Sequence, residues 1–228
     1  VGDACGNTVT WWLRFSTDEK VVALTFDDGW SDLEFNGILD ALDAHHAYAT
    51  FFINGSYFVD WGIQPESMEK ARVAGHMFGN HTFDHTIGGD PGEFMVQLQQ
   101  SETAHSAFGI NKLTPIFRSP SFAEADWLNE VLLGAGYTEH ILTNLDPEDW
   151  TDPPPSADTM AQCVLETIEP GDIVLFHIGP ETTPAALELI LESLSEEGYH
   201  FLTIEQMLAY GTPTLVAPWD LKDCDDYY

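Results

Sequence analysis

Two short clusters in the sequence combine side chains that ligate metals and move protons. The first, Thr25-Phe26-Asp27-Asp28-Gly29, ends an apolar run in two adjacent carboxylates; the second, Gly79-Asn80-His81-Thr82-Phe83-Asp84-His85, carries two histidines four residues apart. Adjacent carboxylates repel each other, so something positive must sit nearby. Histidines at i and i+4 fall on one face if the segment is helical, and that spacing lets both imidazoles reach one ion; Gly79 ahead of the histidines and Gly88-Gly89 after them place the cluster on a loop. A catalytic zinc keeps three protein ligands and an open position for water, and two histidines with one carboxylate form an established set. Here the set would be Asp28, His81 and His85. Each cluster taken alone also has a plainer reading. Asp28-Gly29 would serve as the bend of a strand-to-helix turn capped by Ser31 or Asp32, and the histidines as two surface residues.

The elements that must hold these clusters are read from hydrophobic periodicity. Val21 to Phe26 is continuously apolar apart from Thr25, which suits a strand covered on both faces with functional groups at its carboxyl end. Asp32 to Ala44 has helical period, with Leu33, Ile38, Leu39 and Leu42 near one face, and Ala49 to Ile53 follows as a strand. The alternation continues: a helix over 64–74, a short strand at 76–78, a helix over 93–108, a strand at 116–118, a helix over 125–133 and a strand over 139–145. It ends with helices over 157–168 and 184–196, each followed by a strand, 172–178 and 199–202. Roughly seven β/α units result, forming one barrel or one open parallel sheet.

At 228 residues, 44% of them hydrophobic, the chain can fill the core of one domain spanning 1–228. No apolar run approaches the roughly 20 residues that cross a bilayer. Seven basic residues against 38 acidic ones leave a formal charge of -31, which repels nucleic acid and anionic membrane surfaces. Three cysteines are present, Cys5, Cys163 and Cys224. Because the ends of compact domains lie close together, a Cys5 to Cys224 bridge is expected in an exported protein, with Cys163 a free buried thiol; three reduced thiols in a cytosolic protein is the other reading.

Three further stretches complete an ordered pattern: Arg118-Ser119-Pro120, Asp146-Pro147-Glu148-Asp149-Trp150 and Leu175-Phe176-His177. With the two clusters above, the chain resembles the NodB-like polysaccharide deacetylases, carbohydrate esterase family 4, over nearly its whole length. The resemblance implies an α/β fold, a distorted (β/α)7 barrel. It implies Asp27 as catalytic base paired with Arg118, and Asp28, His81 and His85 as ligands of one divalent metal ion, Zn²⁺ first, with Co²⁺, Ni²⁺ or Mn²⁺ as alternatives. His177 is then the acid that protonates the leaving amine, oriented by Asp149. Ser121, Phe122, Trp150, Leu175 and Trp30 are expected to contact substrate, and the backbone N–H of Ser121 to face the oxyanion. Trp30 stands where the family usually has proline, and Ser121 where tyrosine is common. Seen singly, His177, Arg118 and Asp149 would each read as an ordinary structural residue; the joint pattern assigns them. His45, His46, His76, His105, His140 and His200 are read as surface or packing residues.

The implied activity is removal of N-acetyl groups from GlcNAc-containing glycans such as chitin or chitooligosaccharides. O-acetyl xylan and peptidoglycan GlcNAc are alternative substrates, and a non-catalytic carbohydrate-binding relative is the alternative from outside enzymology. The protein is expected to be secreted and monomeric.

Overall fold

The structure is a computed structural model that describes residues 8–58, 62–214, 222 and 224. In chain order its strands are β1 (Thr10–Trp12), β2 (Arg14–Ser16), β3 (Val21–Asp28), β4 (Ala49–Ile53), β5 (Met77–Phe78), β6 (Ile116–Phe117), β7 (Glu139–Ile141), β8 (Ile173–Ile178), β9 (His200–Phe201) and β10 (Thr212–Thr214). The helices are α1 (Asp32–Ala44), α2 (Pro65–Val73), α3 (Pro91–Ala107), α4 (Leu128–Ala135), α5 (Ala157–Thr167), α6 (Thr183–Glu196) and α7 (Ile204–Met207). Each strand from β3 to β9 is followed by one helix, giving the seven β/α units that the periodicity predicts.

Strands β5, β4, β3 and β8 form one parallel run, and β6, β7 and β1 another. Isolated parallel bridges, Asn80 to Phe117 at one edge and Leu145 to Val174 at the other, join the two runs into a ring. Closure through single bridges in place of full ladders is what makes this a distorted barrel, while β9 pairs with the start of β3. The open-sheet alternative is thereby excluded.

The pleat of β3 decides what lies inside. Side chains alternate along a strand. Phe26 packs outward on Phe51 (5.3 Å between ring centroids), which meets Phe35 of α1 edge-on at 5.2 Å. Thr25 and Asp27 therefore point into the barrel, where Arg118 meets both. On α1 the buried stripe is Phe35, Ile38, Leu39 and Leu42, spaced i, i+3, i+4 and i+7. Leu33 does not belong to it and is 78% exposed, because a residue five positions before Ile38 lies well round the helix from that stripe. Among the described residues no helix is long and apolar enough to cross a membrane.

The expected cysteine pairing is corrected: Cys224 is bonded to Cys163, with Cα atoms 5.7 Å apart, and Cys5 lies outside the described residues. The proximity of chain ends could not reveal that Lys222 and Cys224 lie against the barrel wall beside α5. There Lys222 bridges to Leu145 in parallel and its ammonium binds Asp172 (2.9 Å), Glu169 (3.0 Å) and the carbonyl of Thr167 (3.0 Å) at the end of α5. That anchorage delivers Cys224 to Cys163 of α5. Closing a loop over a separation of 61 residues stabilises by about 4 kcal/mol in the chain-entropy account. The expected result is that thiol titration without reductant finds at most one free cysteine per chain; three reactive thiols would contradict the bridge.

Candidate active site

The carboxyl ends of the barrel strands converge on a cleft of about 390 Å³ lined by Asp27, Asp28, His81, His85, Ser119, Ser121, Phe122, Asp146, Trp150, Leu175 and His177. Of the residues singled out in the sequence, all but three line it. Arg118 and Asp149 lie immediately behind, each fully buried. Trp30 is the exception: its indole covers Gly179, whose φ of 154° and lack of a Cβ leave room for the ring, and it is 43% exposed. The structure puts it beside the strand end that carries His177, not in the cleft wall.

Asp27 and Asp28 are consecutive, so a regular strand would turn them to opposite faces. Asp28 adopts φ 70°, which breaks the alternation and keeps both carboxylates at the cleft. The two histidines come together in a similar way. Residues 81–85 form a loop, not a helix, with Thr82 at φ 68° and His85 at φ 61°, and the imidazole centroids lie 5.2 Å apart. Of the non-glycine residues with positive φ, Asp28, Thr82, His85, Ser121, Phe122 and Glu148 all belong to the loops around the cleft, leaving only His46 elsewhere among the described residues. Each such conformation costs on the order of 1–3 kcal/mol, and clustering of that strain is characteristic of functional sites.

One ligand atom from each of Asp28, His81 and His85 falls within 4.8 Å of the others. His81 is fixed for ligation: its Nδ1–H donates to the carbonyl of Arg118 at 2.8 Å, which leaves the Nε2 lone pair facing the carboxylates. Burial lowers the His81 pKa, against the pull of Asp27 and Asp28, and so favours the neutral, ligating form. Asp28 Oδ1 is buried without a hydrogen-bond partner, 3.5 Å from His85 Nε2. A buried carboxylate oxygen without a hydrogen-bond partner, close to two imidazoles, fits a divalent cation.

Asp27 is held separately. Arg118, with no exposed surface, donates through Nη1 to Asp27 Oδ1 (2.7 Å) and Thr25 Oγ1 (2.9 Å), through Nε to the Ile141 carbonyl (3.1 Å) and through Nη2 to the Leu142 carbonyl (3.0 Å). Its guanidinium also lies over the Phe52 ring at 4.5 Å. A buried charge is tolerated where pairing and hydrogen bonds are complete, and this arrangement aims one Asp27 oxygen at Arg118 and leaves Oδ2 3.6 Å from His81 Nε2. Opposite stands His177, whose ring Nδ1–H and backbone N–H donate to Asp149 at 2.7 and 2.8 Å, while Thr183 Oγ1 donates to the same carboxylate at 2.7 Å. Burial pushes the His177 pKa down. The charge and hydrogen bond of Asp149, then the charges of Asp27 and Asp28, outweigh it and raise the pKa to about 9.

The arrangement supplies a cation site, a carboxylate that can accept a proton from water, and an imidazolium that can deliver one to a leaving group. Three supporting residues went unassigned in the sequence. Thr25 and Thr183 orient Arg118 and Asp149 from other strands and helices, and Asp146 adds a third carboxylate to the cleft wall. Thr25 and Asp146 each stood within a recognised stretch without a role; Thr183 carries no local signal, since only barrel closure brings it there.

The family model described as "Polysaccharide deacetylase" matches residues 15–140. The chain is 30% identical over 208 residues to a peptidoglycan-N-acetylglucosamine deacetylase of Bacillus cereus, covering 89% of this chain and 93% of that protein. It is 29% identical over 209 residues to a chitooligosaccharide deacetylase of Sinorhizobium fredii, covering 85% and 94% respectively. Among solved structures, a CE4 family pseudoenzyme from Bacillus anthracis superimposes with a TM-score of 0.78 at 26% identity, over 94% of this chain and 72% of that one.

Proposed function

The chain belongs to the polysaccharide deacetylase family, a family of hydrolases, and from that premise we propose that it is a metal-dependent enzyme removing N-acetyl groups from GlcNAc-containing glycans, with neutral chitooligosaccharides preferred. The observation that carries the reading is the separate orientation of two proton-transfer groups, Asp27 by Arg118 and His177 by Asp149, across one cation site. A binding protein has no use for such a pair.

Asp28, His81 and His85 would hold the ion, which we take to be Zn²⁺, with Co²⁺, Ni²⁺ or Mn²⁺ able to use the same donors. When bound, it lowers the pKa of water from about 15.7 toward 7 and polarises the acetyl carbonyl. Asp27 takes the proton from the attacking water while Arg118 keeps its carboxylate aimed. The backbone N–H of Ser121 faces the developing oxyanion. His177 gives its proton to the amine, which cannot leave as an anion, and Asp149 fixes the tautomer that allows it. Phe122, Trp150 and Leu175 offer apolar surface to the acetyl group and the pyranose ring, whereas Trp30 stands outside the cleft wall.

Substrate choice rests on charge. With -31 overall and Asp27, Asp28 and Asp146 in the cleft, a polymer bearing free carboxylates is disfavoured. Peptidoglycan GlcNAc is the second reading, favoured by the name of the Bacillus cereus relative. Acetate release from chitooligosaccharides, acetylated xylan and peptidoglycan, each at low and at 1 M salt, tests the choice, since the Debye length falls to about 3 Å at 1 M. Neutral oligomers should lead at low salt and change little; faster peptidoglycan turnover at low salt would refute the electrostatic argument. No acetate from any of them would support the pseudoenzyme alternative. A single catalytic domain, secreted and acting as a monomer, is part of the proposal, with the Cys163–Cys224 bridge supporting an oxidising compartment.

A pH profile follows from His177. The acid is its protonated form, present below its pKa and lost above it, so kcat on an N-acetyl substrate should fall on the alkaline side. A cation on Asp28 offsets the pull of Asp27 and Asp28 and leaves Asp149 in control, which sets the limb above the ordinary value of 6.5 and no higher than about 9. Asp149→Asn should move it down toward 6.5; an unmoved limb would take the acid role away from His177.

A further inference from the structure

Ser119 sits between the buried Arg118 and a tight turn on the cleft wall, and its backbone is held at both ends. Its N–H donates to His140 Nε2 at 3.3 Å, its Oγ approaches the same nitrogen at 3.1 Å, and its carbonyl accepts from the N–H of Phe122 at 3.0 Å. The residues so closed off, Ser121 and Phe122, have φ of 49° and 52° and line the cleft. A left-handed pair of non-glycine residues is held only where its surroundings over-determine it.

His140 has no other use for that nitrogen. Its ring is 1% exposed, wedged 4.1 Å from the Trp11 ring and 5.3 Å from Phe117. Since Nε2 accepts, the proton is on Nδ1, which is buried without a partner. A buried histidine with one polar atom unsatisfied calls for an explanation, and the hydrogen bond accepted by its other nitrogen supplies one. The following carbonyls, Ile141 and Leu142, accept from Arg118, so the end of β7 grips Arg118 and Ser119 together.

A serine against a histidine also resembles a nucleophile with its base. The geometry opposes that. Ser119 is 1% exposed, and among the described residues no acid orients His140 from Nδ1. Burial, with Arg118 and His81 nearby, lowers the His140 pKa to about 3, so the ring is a poor proton acceptor.

We propose that His140 is a positioning residue: by accepting from Ser119 it sets the Ser119–Phe122 turn that presents the Ser121 backbone to the substrate, without touching substrate itself. The inference rests on the deacetylase reading for its kinetic consequence. Losing an oxyanion donor outright costs about 10²–10³ in kcat, and a displaced one costs part of that. His140→Leu, which removes the acceptor, should therefore lower kcat about tenfold or more with KM changed little, because the donor acts in the transition state. His140→Gln, whose Oε1 can reach the Nε2 position, should recover most of the loss, and Ser119→Ala, which keeps the N–H, should lose less than His140→Leu. In the wild-type protein, NMR should show a ¹⁵N–¹⁵N coupling across the hydrogen bond from the Ser119 amide to His140 Nε2.

Wild-type kcat in His140→Leu, an equal loss in His140→Gln, or a loss in Ser119→Ala as large as that in Asp27→Asn, about 10²–10⁴ in kcat, would each overturn the proposal, the last in favour of a nucleophile. Absence of the coupling would overturn it without reference to activity. If the wild-type protein released no acetate, the deacetylase reading would fail, and the coupling alone would still decide whether the Ser119–His140 hydrogen bond exists.

Discussion

Asp27→Asn should fold and bind its metal yet lose about 10²–10⁴ in kcat, the usual contribution of a general base. The amide keeps the shape of the carboxylate, and its oxygen can still accept from Arg118, but it cannot take a proton from water. The same change removes the only carboxylate that Arg118 contacts among the described residues, at 2.7 Å, in a buried setting. Breaking a buried pair by removing one charge costs about 3–5 kcal/mol. Here Thr25 Oγ1 and the carbonyls of Ile141 and Leu142 remain as acceptors, which places the expected loss at the lower end. A lowered Tm should thus accompany the lost turnover. Metal content and far-ultraviolet circular dichroism should match the wild-type protein at a temperature below both transitions. A metal-replete variant with near-normal turnover would assign the base elsewhere, and one with normal Tm would mean that the Asp27–Arg118 contact carries no net stabilisation.

The parts of this molecule that were legible in the sequence are those governed by local periodicity. The run ending at Asp28 had to be a doubly covered strand, and the alternation of such runs with amphipathic stretches gave the count of β/α units. The candidate site was legible through the ordered stretches that carry the family resemblance, and the structure gathers most of those residues at the strand ends around one cleft. Features that depend on contact across the barrel were not. The path that carries Cys224 to Cys163 runs through an ion-pair network between Lys222, Glu169 and Asp172. His81 and His85 sit on a loop, as the glycines on either side suggest, but the left-handed conformations at Thr82 and His85 that bring the imidazoles together carry no signal in that spacing. Trp30 stood one residue from a functional turn, yet its ring packs on Gly179. Strands β1, β2 and β10 are short, and the antiparallel pairing of Arg14–Ser16 with Thr212–Thr214 joins segments nearly two hundred residues apart, beyond the reach of any local pattern. His140 was read as packing for the same reason: its partner Ser119 lies on a different strand end.

Removing the metal should abolish activity altogether, and Zn²⁺ or Co²⁺ should restore it. Without an ion the site holds adjacent carboxylates, an Asp28 oxygen without a hydrogen-bond partner and two imidazoles, a set with no Lewis acid to activate water near neutral pH. The ligands are not equal in preparation. His81 is almost fully buried and locked by the Arg118 carbonyl, whereas the His85 side chain is 40% exposed. Losing an oriented ligand removes both a bond and the pre-arrangement that made it strong, so His81→Ala and Asp28→Ala should weaken binding more than His85→Ala. Stability provides a readout independent of turnover. An ion at 100 times its Kd stabilises the folded state by about 2.7 kcal/mol, and for a protein of this size that corresponds to a rise in Tm of roughly 5–10 °C. The wild-type protein should show this rise on adding Zn²⁺ after chelation, His85→Ala a smaller one, and His81→Ala and Asp28→Ala almost none at the same concentration. Full turnover in protein shown to be metal-free would remove the cation from the mechanism, and with it the reason for His81, His85 and Asp28 to meet.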